Sequence, residues 1–273
     1  MLGPSRFRLA RLRERLLPRR YGSFEDAREA CGHGYEEAAL VDVVFRKTSA
    51  WAEALRAGAL PPLPPSGAHT VMAVAAALAS ADGVPRVLDF GGGCGAAYFV
   101  AKAALGGVPL HWRVVETPAM AARARGLGGE ELGFCESLED ALAQLGGVDV
   151  LHSSGTLHYL ADPRGMLREL VGCGGRVLLL TRVATACGND DVYGVQRSTL
   201  AANGPGPLPP GQPDAEVLYP FHLVPRAQLM GVLSGAYEVM LDLTVDGDRT
   251  PRLGGVRARD LAVLARRVTG AGA

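Results

Sequence analysis

The sequence predicts a doubly wound α/β fold. Its sheet is mostly parallel and seven-stranded, with an antiparallel last strand, and an N-terminal helical cap precedes it. Three observations predict this. Beyond residue 69, five short apolar runs alternate with helical stretches at the spacing of βαβ units. A glycine cluster follows the first of these runs and opens a helix. The last two apolar runs are joined by a polar segment without a helix, so they should pair antiparallel.

Taken in order, residues 6–17 alternate arginine with Leu9, Leu12, Leu16 and Leu17, the pattern of an amphipathic helix with a wet basic face. Helices follow at Ser23–Ala30, with Ser23 as N-cap, and at Glu36–Leu55. The proline-rich segment Pro61–Gly67 reads as a stiff linker. It divides a cap, residues 1–68, from a sheet domain, residues 69–273.

That domain reads as helix Thr70–Ala81, strand Arg86–Phe90, helix Ala96–Leu105, strand Trp112–Glu116, helix Ala119–Arg125 and strand Leu132–Cys135. Helix Leu138–Leu145, strand Val148–His152, helix Pro163–Val171 and strand Arg176–Thr181 continue it. The strands are apolar runs, as in a sheet covered on both faces. Residues 187–220, rich in Gly and Pro, are too long for a routine connection and read as a lid loop. Helix Arg226–Leu233 and strands Tyr237–Leu243 and Leu261–Ala265 end the fold, the two strands linked by a polar loop over Asp246–Arg259.

Composition narrows the function. Of 273 residues, 48% are hydrophobic and 21% charged, which excludes a predominantly disordered chain. The 28 basic and 28 acidic residues cancel, so a nucleic acid is not the expected partner and a small-molecule substrate is. Cys31, Cys94, Cys135, Cys173 and Cys187 form no C-x-x-C pair, and the six histidines form no H-E-x-x-H. No disulfide framework and no metal are expected. Neither a secretory signal nor a run of about 18 apolar residues is present, so the expectation is a cytoplasmic protein without a membrane partner.

The chemistry centres on Val87-Leu88-Asp89-Phe90-Gly91-Gly92-Gly93-Cys94-Gly95. Glycines between a strand and a helix let the backbone approach a ligand, and the helix start offers free N–H groups. Asp89 would repel a pyrophosphate there but accept an ammonium. S-adenosylmethionine (SAM) has an amino-acid tail and no phosphate. Glu116, closing the next strand, is placed to accept from ribose hydroxyls. The third strand ends at Phe134-Cys135-Glu136-Ser137, where adenine would lie with its edge against Cys135 or Phe134 and donate to Glu136, unless Glu136 belongs to the first turn of the next helix.

An acidic residue, one spacer and G-x-G-x-G is the first motif of the class I SAM-dependent methyltransferases, which this chain resembles at Asp89, Gly91, Gly93 and Gly95. The resemblance implies a Rossmann-like sheet and SAM as cofactor. Longer stretches resemble a narrower group of uncharacterised bacterial methyltransferase-like proteins: 21–27, 34–35, 87–95, 112–116, 148–160 and 219–221. The general layout is also similar to that of bacterial enzymes that close SAM into azetidine-2-carboxylate.

Methyl transfer to a small molecule, as in small-molecule biosynthesis, is the implied activity. The alternatives are cyclisation of SAM with release of methylthioadenosine, and a non-catalytic SAM-binding module. A nicotinamide-dependent oxidoreductase is disfavoured by Asp89. The fourth strand ends in His152-Ser153-Ser154-Gly155-Thr156-Leu157-His158-Tyr159, which should face the reacting centre. Ser153 and Ser154 are candidates to hold the methionine moiety, and His152 or His158 to take a proton. Tyr159 would place a ring against the sulfonium. Arg182, Tyr193, Gln196 and His222 are further candidates for an acceptor pocket.

Overall fold

A computed structural model describes residues 20–32, 34–59, 65–79, 83–244, 252–253 and 255–268. The basic helix expected at 6–17 and residues 61–64 of the expected linker lie outside the described residues. Helix α1 (Phe24–Glu29) begins where the Ser23 hydroxyl accepts from the Asp26 N–H at 3.1 Å. Helix α2 (Ala38–Arg56) buries Leu40, Val41, Val43 and Ala52 along one stripe. Helix α3 (Pro65–Leu78) starts earlier than expected and takes the end of the linker as its first turn. Proline suits that position, because a first-turn N–H has no intrahelical partner to lose.

The chain then runs β1 (Arg86–Phe90), α4 (Ala96–Ala104), β2 (His111–Val115), α5 (Pro118–Ala124), β3 (Leu132–Cys135), α6 (Leu138–Leu145), β4 (Val150–Ser154), α7 (Pro163–Gly172) and β5 (Val177–Ala186). It continues with β6 (Val192–Thr199), β7 (Glu216–Leu223), α8 (Arg226–Leu233), β8 (Tyr237–Asp242), β9 (Arg252–Leu253) and β10 (Val256–Arg267). The main sheet has the order β3-β2-β1-β4-β5-β10-β8, with β9 paired to β10. β10 lies between β5 and β8, antiparallel to both. The doubly wound, mostly parallel sheet with an antiparallel last strand is therefore the observed architecture.

Both faces are covered. One apolar layer joins Val87, Trp112 and Val150 to α2–α5 through Ala52, Val74, Phe99 and Met120. The other joins Leu88, Leu151 and Leu178 to α6–α8 through Leu145, Leu167 and Leu229. Adjacent residues on one strand thus serve different layers.

Three expectations need correction. β4 spans Val150–Ser154 rather than Val148–His152, so Ser153 and Ser154 are strand residues along with His152. β5 and β10 are longer than expected because they pair antiparallel from Ala186↔Ala258 to Val177↔Arg266. The interspersed Arg182, Arg257 and Arg259 conceal that length in the sequence. The segment 187–220 is not a loop throughout, since β6 and β7 form a separate antiparallel ribbon. Gly194 in β6 has a packing reason: a Cβ there would come within 2.3 Å of the Phe221 ring.

Candidate active site

A cavity of about 1760 Å³ opens beyond the carboxyl ends of β1, β2, β4 and β5. Its floor is the glycine turn with Glu116, Thr117, His152 and Ser154–Thr156. Its other walls come from α2 and from residues 202–210, between β6 and β7. Lys47, buried on α2, fastens that second wall by donating to Ala201 O at 2.8 Å and Asn203 O at 2.5 Å. A site for one drug-sized ligand has roughly 300–1,000 Å³. This cavity has room for two reactants.

The turn requires its glycines. Gly91, Gly93 and Gly95 have φ of 72°, 60° and 80°, in the left-handed region. At Gly91 a Cβ would also meet Thr156 Oγ1 at 2.1 Å. The Thr156 hydroxyl instead donates to Gly91 O at 3.3 Å, drawing the β4 end against the turn. Gly95 is the N-cap of α4.

Asp89 does not occupy the place expected of it. It is fully buried, and Trp112 Nε1 donates to its Oδ2 at 3.1 Å while His152 Nδ1 lies 2.7 Å from its Oδ1. Asp89 and His152 are direct register partners on β1 and β4, and both face the layer under α3. Gly92 rests on the carboxylate, where a Cβ would be 2.3 Å from Oδ2. Strand alternation turns this side chain inward, so it does not line the cavity. His152 does line the cavity, with its Nε2 at 3.2 Å from Thr70 Oγ1.

Glu116 stays half-buried against the cavity. Its Oε1 accepts from the Gly93 N–H at 2.8 Å and its Oε2 from the Thr117 N–H at 2.9 Å. A carboxylate has about four lone-pair sites, so both oxygens can accept again. Burial raises its carboxyl above the ordinary value, against those two hydrogen bonds. Beside it, Thr117 Oγ1 is buried without a hydrogen-bond partner among the described residues.

The end of β3 lies apart. Cys135 is buried in the layer under α6, and Glu136 pairs with Arg125 at 2.7 Å on the surface; neither lines the cavity. Burial also raises the Cys135 thiol. An adenine contact to these two side chains is thus not provided for. Ser153 is likewise buried on the far face, with its hydroxyl unpartnered among the described residues, whereas Ser154 lines the cavity and accepts from Thr181 Oγ1 at 2.9 Å.

His158 stands outside the lining, and its Nδ1 accepts from the Ala184 N–H at 3.2 Å. Burial, with the nearby Arg182 charge, pushes it down to about 3. This is a neutral imidazole whose Nδ1 lone pair is already engaged by the backbone. Tyr159 does line the cavity; its hydroxyl bonds Gln196, and Tyr35 meets its ring edge-on at 5.0 Å. Tyr35 in turn stacks on Tyr219 at 3.9 Å.

His222 and Tyr193 serve the ribbon instead. His222 Nε2 lies 2.8 Å from Asp191, which Arg164 also holds at 2.6 Å, and Tyr193 packs on the His222 ring at 4.6 Å. Arg182 lines the cavity with φ of 55°, the only non-glycine residue with positive φ among those described. That conformation costs an L-residue about 1–2 kcal/mol. Sequence reasoning missed Thr70, Trp112, Thr117 and Thr156. They become visible only once the register sets them beside Asp89, Glu116 and Gly91.

No family model matches the sequence, and no curated protein matches it. Several solved structures are similar in the course of the chain. The N-terminal domain of EvdMO1, in the presence of S-adenosylhomocysteine (SAH) and D-fucose, is 18% identical, with a TM-score of 0.46, over 77% of this chain and 86% of that one. SAM-bound CalS10, an amino pentose methyltransferase from Micromonospora echinaspora, is 19% identical, with a TM-score of 0.46, over 75% and 91%. The CcbJ methyltransferase from Streptomyces caelestis is 16% identical, with a TM-score of 0.44, over 76% and 91%. At this distance, function has to be read from the chain's own residues. Among the described residues, no cluster of three or more His, Cys, Asp or Glu could hold a metal ion. No described helix is long and apolar enough to cross a membrane.

Proposed function

We propose that this chain binds SAM and transfers its methyl group to a small-molecule acceptor. The observation that carries the reading is the pairing of the glycine turn with Glu116. The carboxylate fixes the turn through the Gly93 N–H and keeps lone pairs toward the cavity for a ribose diol. Thr117, beside it, also lines the cavity, and its Oγ1 is buried without a partner among the described residues. Gly91 and Ser154–Thr156 face each other where the amino-acid tail would lie. Ala96 and Ala97, at the start of α4, add no bulk to this wall.

SAM supplies an activated methyl group on a sulfonium leaving group. The chain's residues then have to align an acceptor and exclude water. His152 is the group placed to take the acceptor's proton: Asp89 fixes its ring, and the ring lines the cavity. Tyr159, braced by Tyr35 and Gln196, offers a ring edge or face toward the cation. In this reading α1, α2 and residues 202–210 are the cap and lid. The cavity's 1760 Å³ favours an acceptor beside the cofactor over cyclisation of SAM alone.

The test is calorimetry with SAM and SAH, followed by mass spectrometry of incubations with and without acceptor mixtures. Micromolar binding and SAH formed only with an acceptor support the proposal. Methylthioadenosine from SAM alone would establish cyclisation, and absence of binding would refute the cofactor.

A further inference from the structure

β5 carries a built irregularity at the cavity. Its pairing with β10 slips so that Val183 faces Leu261 while Leu180 faces Val263. Thr181 and Arg182 thus stand against Ala262 alone, which makes a β-bulge, and Arg182 takes its left-handed conformation there. Bulges beside active sites re-aim a side chain. Here the guanidinium is laid over Gly155, whose missing side chain makes the room: a Cβ at 155 would sit 3.4 Å from Arg182 Cζ. Glycine would fit the left-handed position without strain, yet the position holds the longest cationic side chain.

The guanidinium is not consumed by the protein. Among the described residues it donates no hydrogen bond, and no carboxylate lies within 4.0 Å of it. Asp260 is close enough to feel its charge, but burial holds that carboxyl above its ordinary value. The other cavity cations are engaged: Arg28 with Glu25, Arg46 with Asp42 and Gln212, and Lys47 with backbone carbonyls. Arg182 also lies away from the nucleoside end. Glu116 follows β2, and β1 and β4 separate β2 from β5 in the sheet.

We infer that Arg182 is a specificity-determining residue that binds an oxyanion, carboxylate or phosphate, on the acceptor. Five N–H donors in a planar fork match either anion in a bidentate pair. This rests on the proposed function only for the identity of the anion's bearer; the anion site itself is tested independently.

The experiment follows arginine Nε–H resonances by NMR in SAH-loaded protein, titrated with acetate and, separately, with inorganic phosphate at constant ionic strength. One resonance, absent from Arg182→Lys and Arg182→Gly, should shift saturably, and the Gly155 amide, followed in all three proteins, should report at least tenfold weaker anion binding in both variants, which bind SAH as the parent does. The Gly variant suits the local backbone and keeps the test alive if the Lys variant misfolds. The arm that saturates at lower concentration identifies carboxylate or phosphate. An Arg182 resonance unmoved by both anions overturns the inference. So does a shift seen in free protein and abolished by SAH, which would assign Arg182 to the cofactor's carboxylate. Loss of SAH binding with anion binding intact would count against the proposed function alone.

Discussion

Asp89→Asn separates two roles for the most buried acid of the site. The change is isosteric, and the two contacts define its consequences: Trp112 Nε1–H at 3.1 Å and His152 Nδ1 at 2.7 Å. With the amide oxygen toward His152, the new NH2 would face the indole N–H, leaving a buried donor unsatisfied at about 1–3 kcal/mol. Flipped, the amide oxygen accepts from Trp112 and the NH2 donates to His152 Nδ1. The imidazole proton must then sit on Nε2, where it donates to Thr70 Oγ1 at 3.2 Å while Thr70 donates to Ser66 O at 3.0 Å. Every group is satisfied, but the ring proton has moved from Nδ1 to Nε2, so the nitrogen on the Thr70 side can no longer take a proton.

The fold should lose about 1–2 kcal/mol, the difference between charge-assisted and neutral hydrogen bonds. SAH affinity should stay within about threefold, because Asp89 does not reach the cavity. Turnover of any acceptor that needs a base should fall by about 10²–10⁴. Long-range 15N–1H NMR reads the tautomer directly, and calorimetry reads the affinity. An Nδ1–H tautomer persisting in the variant, or a more than tenfold loss of SAH affinity with the fold intact, would refute this reasoning.

Glu116→Gln removes a charged acceptor and should weaken SAH by about 10–100-fold by calorimetry. Because burial raises the Glu116 carboxyl, affinity in the parent should fall on acidification before the ordinary carboxylate range is reached, and the variant should lack that fall. Gly91→Ala should cost at least about 3 kcal/mol in urea unfolding, from left-handed strain plus the 2.1 Å clash with Thr156, and Thr156→Gly should rescue only the clash. His158, held near pKa 3, stays neutral in the native state while the unfolded chain protonates near 6.5. Stability should therefore fall below about pH 6.5 by up to ~1.4 kcal/mol per unit, and denaturant titrations of His158→Gln should show that slope flattened. Arg182→Gly should raise Tm by about 2–4 °C through relief of strain, as scanning calorimetry would show.

The main sheet was legible because each strand of β1–β5 is an apolar run bounded by helix signals, and because the sequence carries no helix signal between the last two apolar runs. The β6–β7 ribbon was not. On β7, Val217 and Tyr219 join one small apolar cluster and Phe221 and Leu223 another, so the ribbon has no single long apolar run, and Gly194 and Pro220 read as loop residues out of context. The glycine turn and Glu116 line the cavity, and their strand-end positions are visible in the sequence alone. Asp89 was readable as important but not in its direction. A strand-end acid points past the sheet or into a layer according to parity, and parity here follows Val87, a residue of the α3-facing layer. The same parity would have separated Ser154 and His152 from Ser153, had the strand's end been placed at Ser154 rather than at His152.

The strand order also limits the acceptor. Neighbouring strands are about 4.8 Å apart, so Glu116, past β2, and Arg182, on β5, are separated by roughly three spacings, ~14 Å. His152 on β4 stands between them, one spacing from β5. A nucleoside held at Glu116 places its reacting end toward β4, which leaves roughly 5–10 Å between a nucleophile near His152 and an oxyanion on Arg182. That span suits a small amino or hydroxy acid, or a sugar phosphate, and is too short for a peptide anchored at its far end. Among matched anionic acceptors of increasing length, turnover should peak at the short ones. A preference for the longest would mean that Arg182 and His152 do not serve the same molecule.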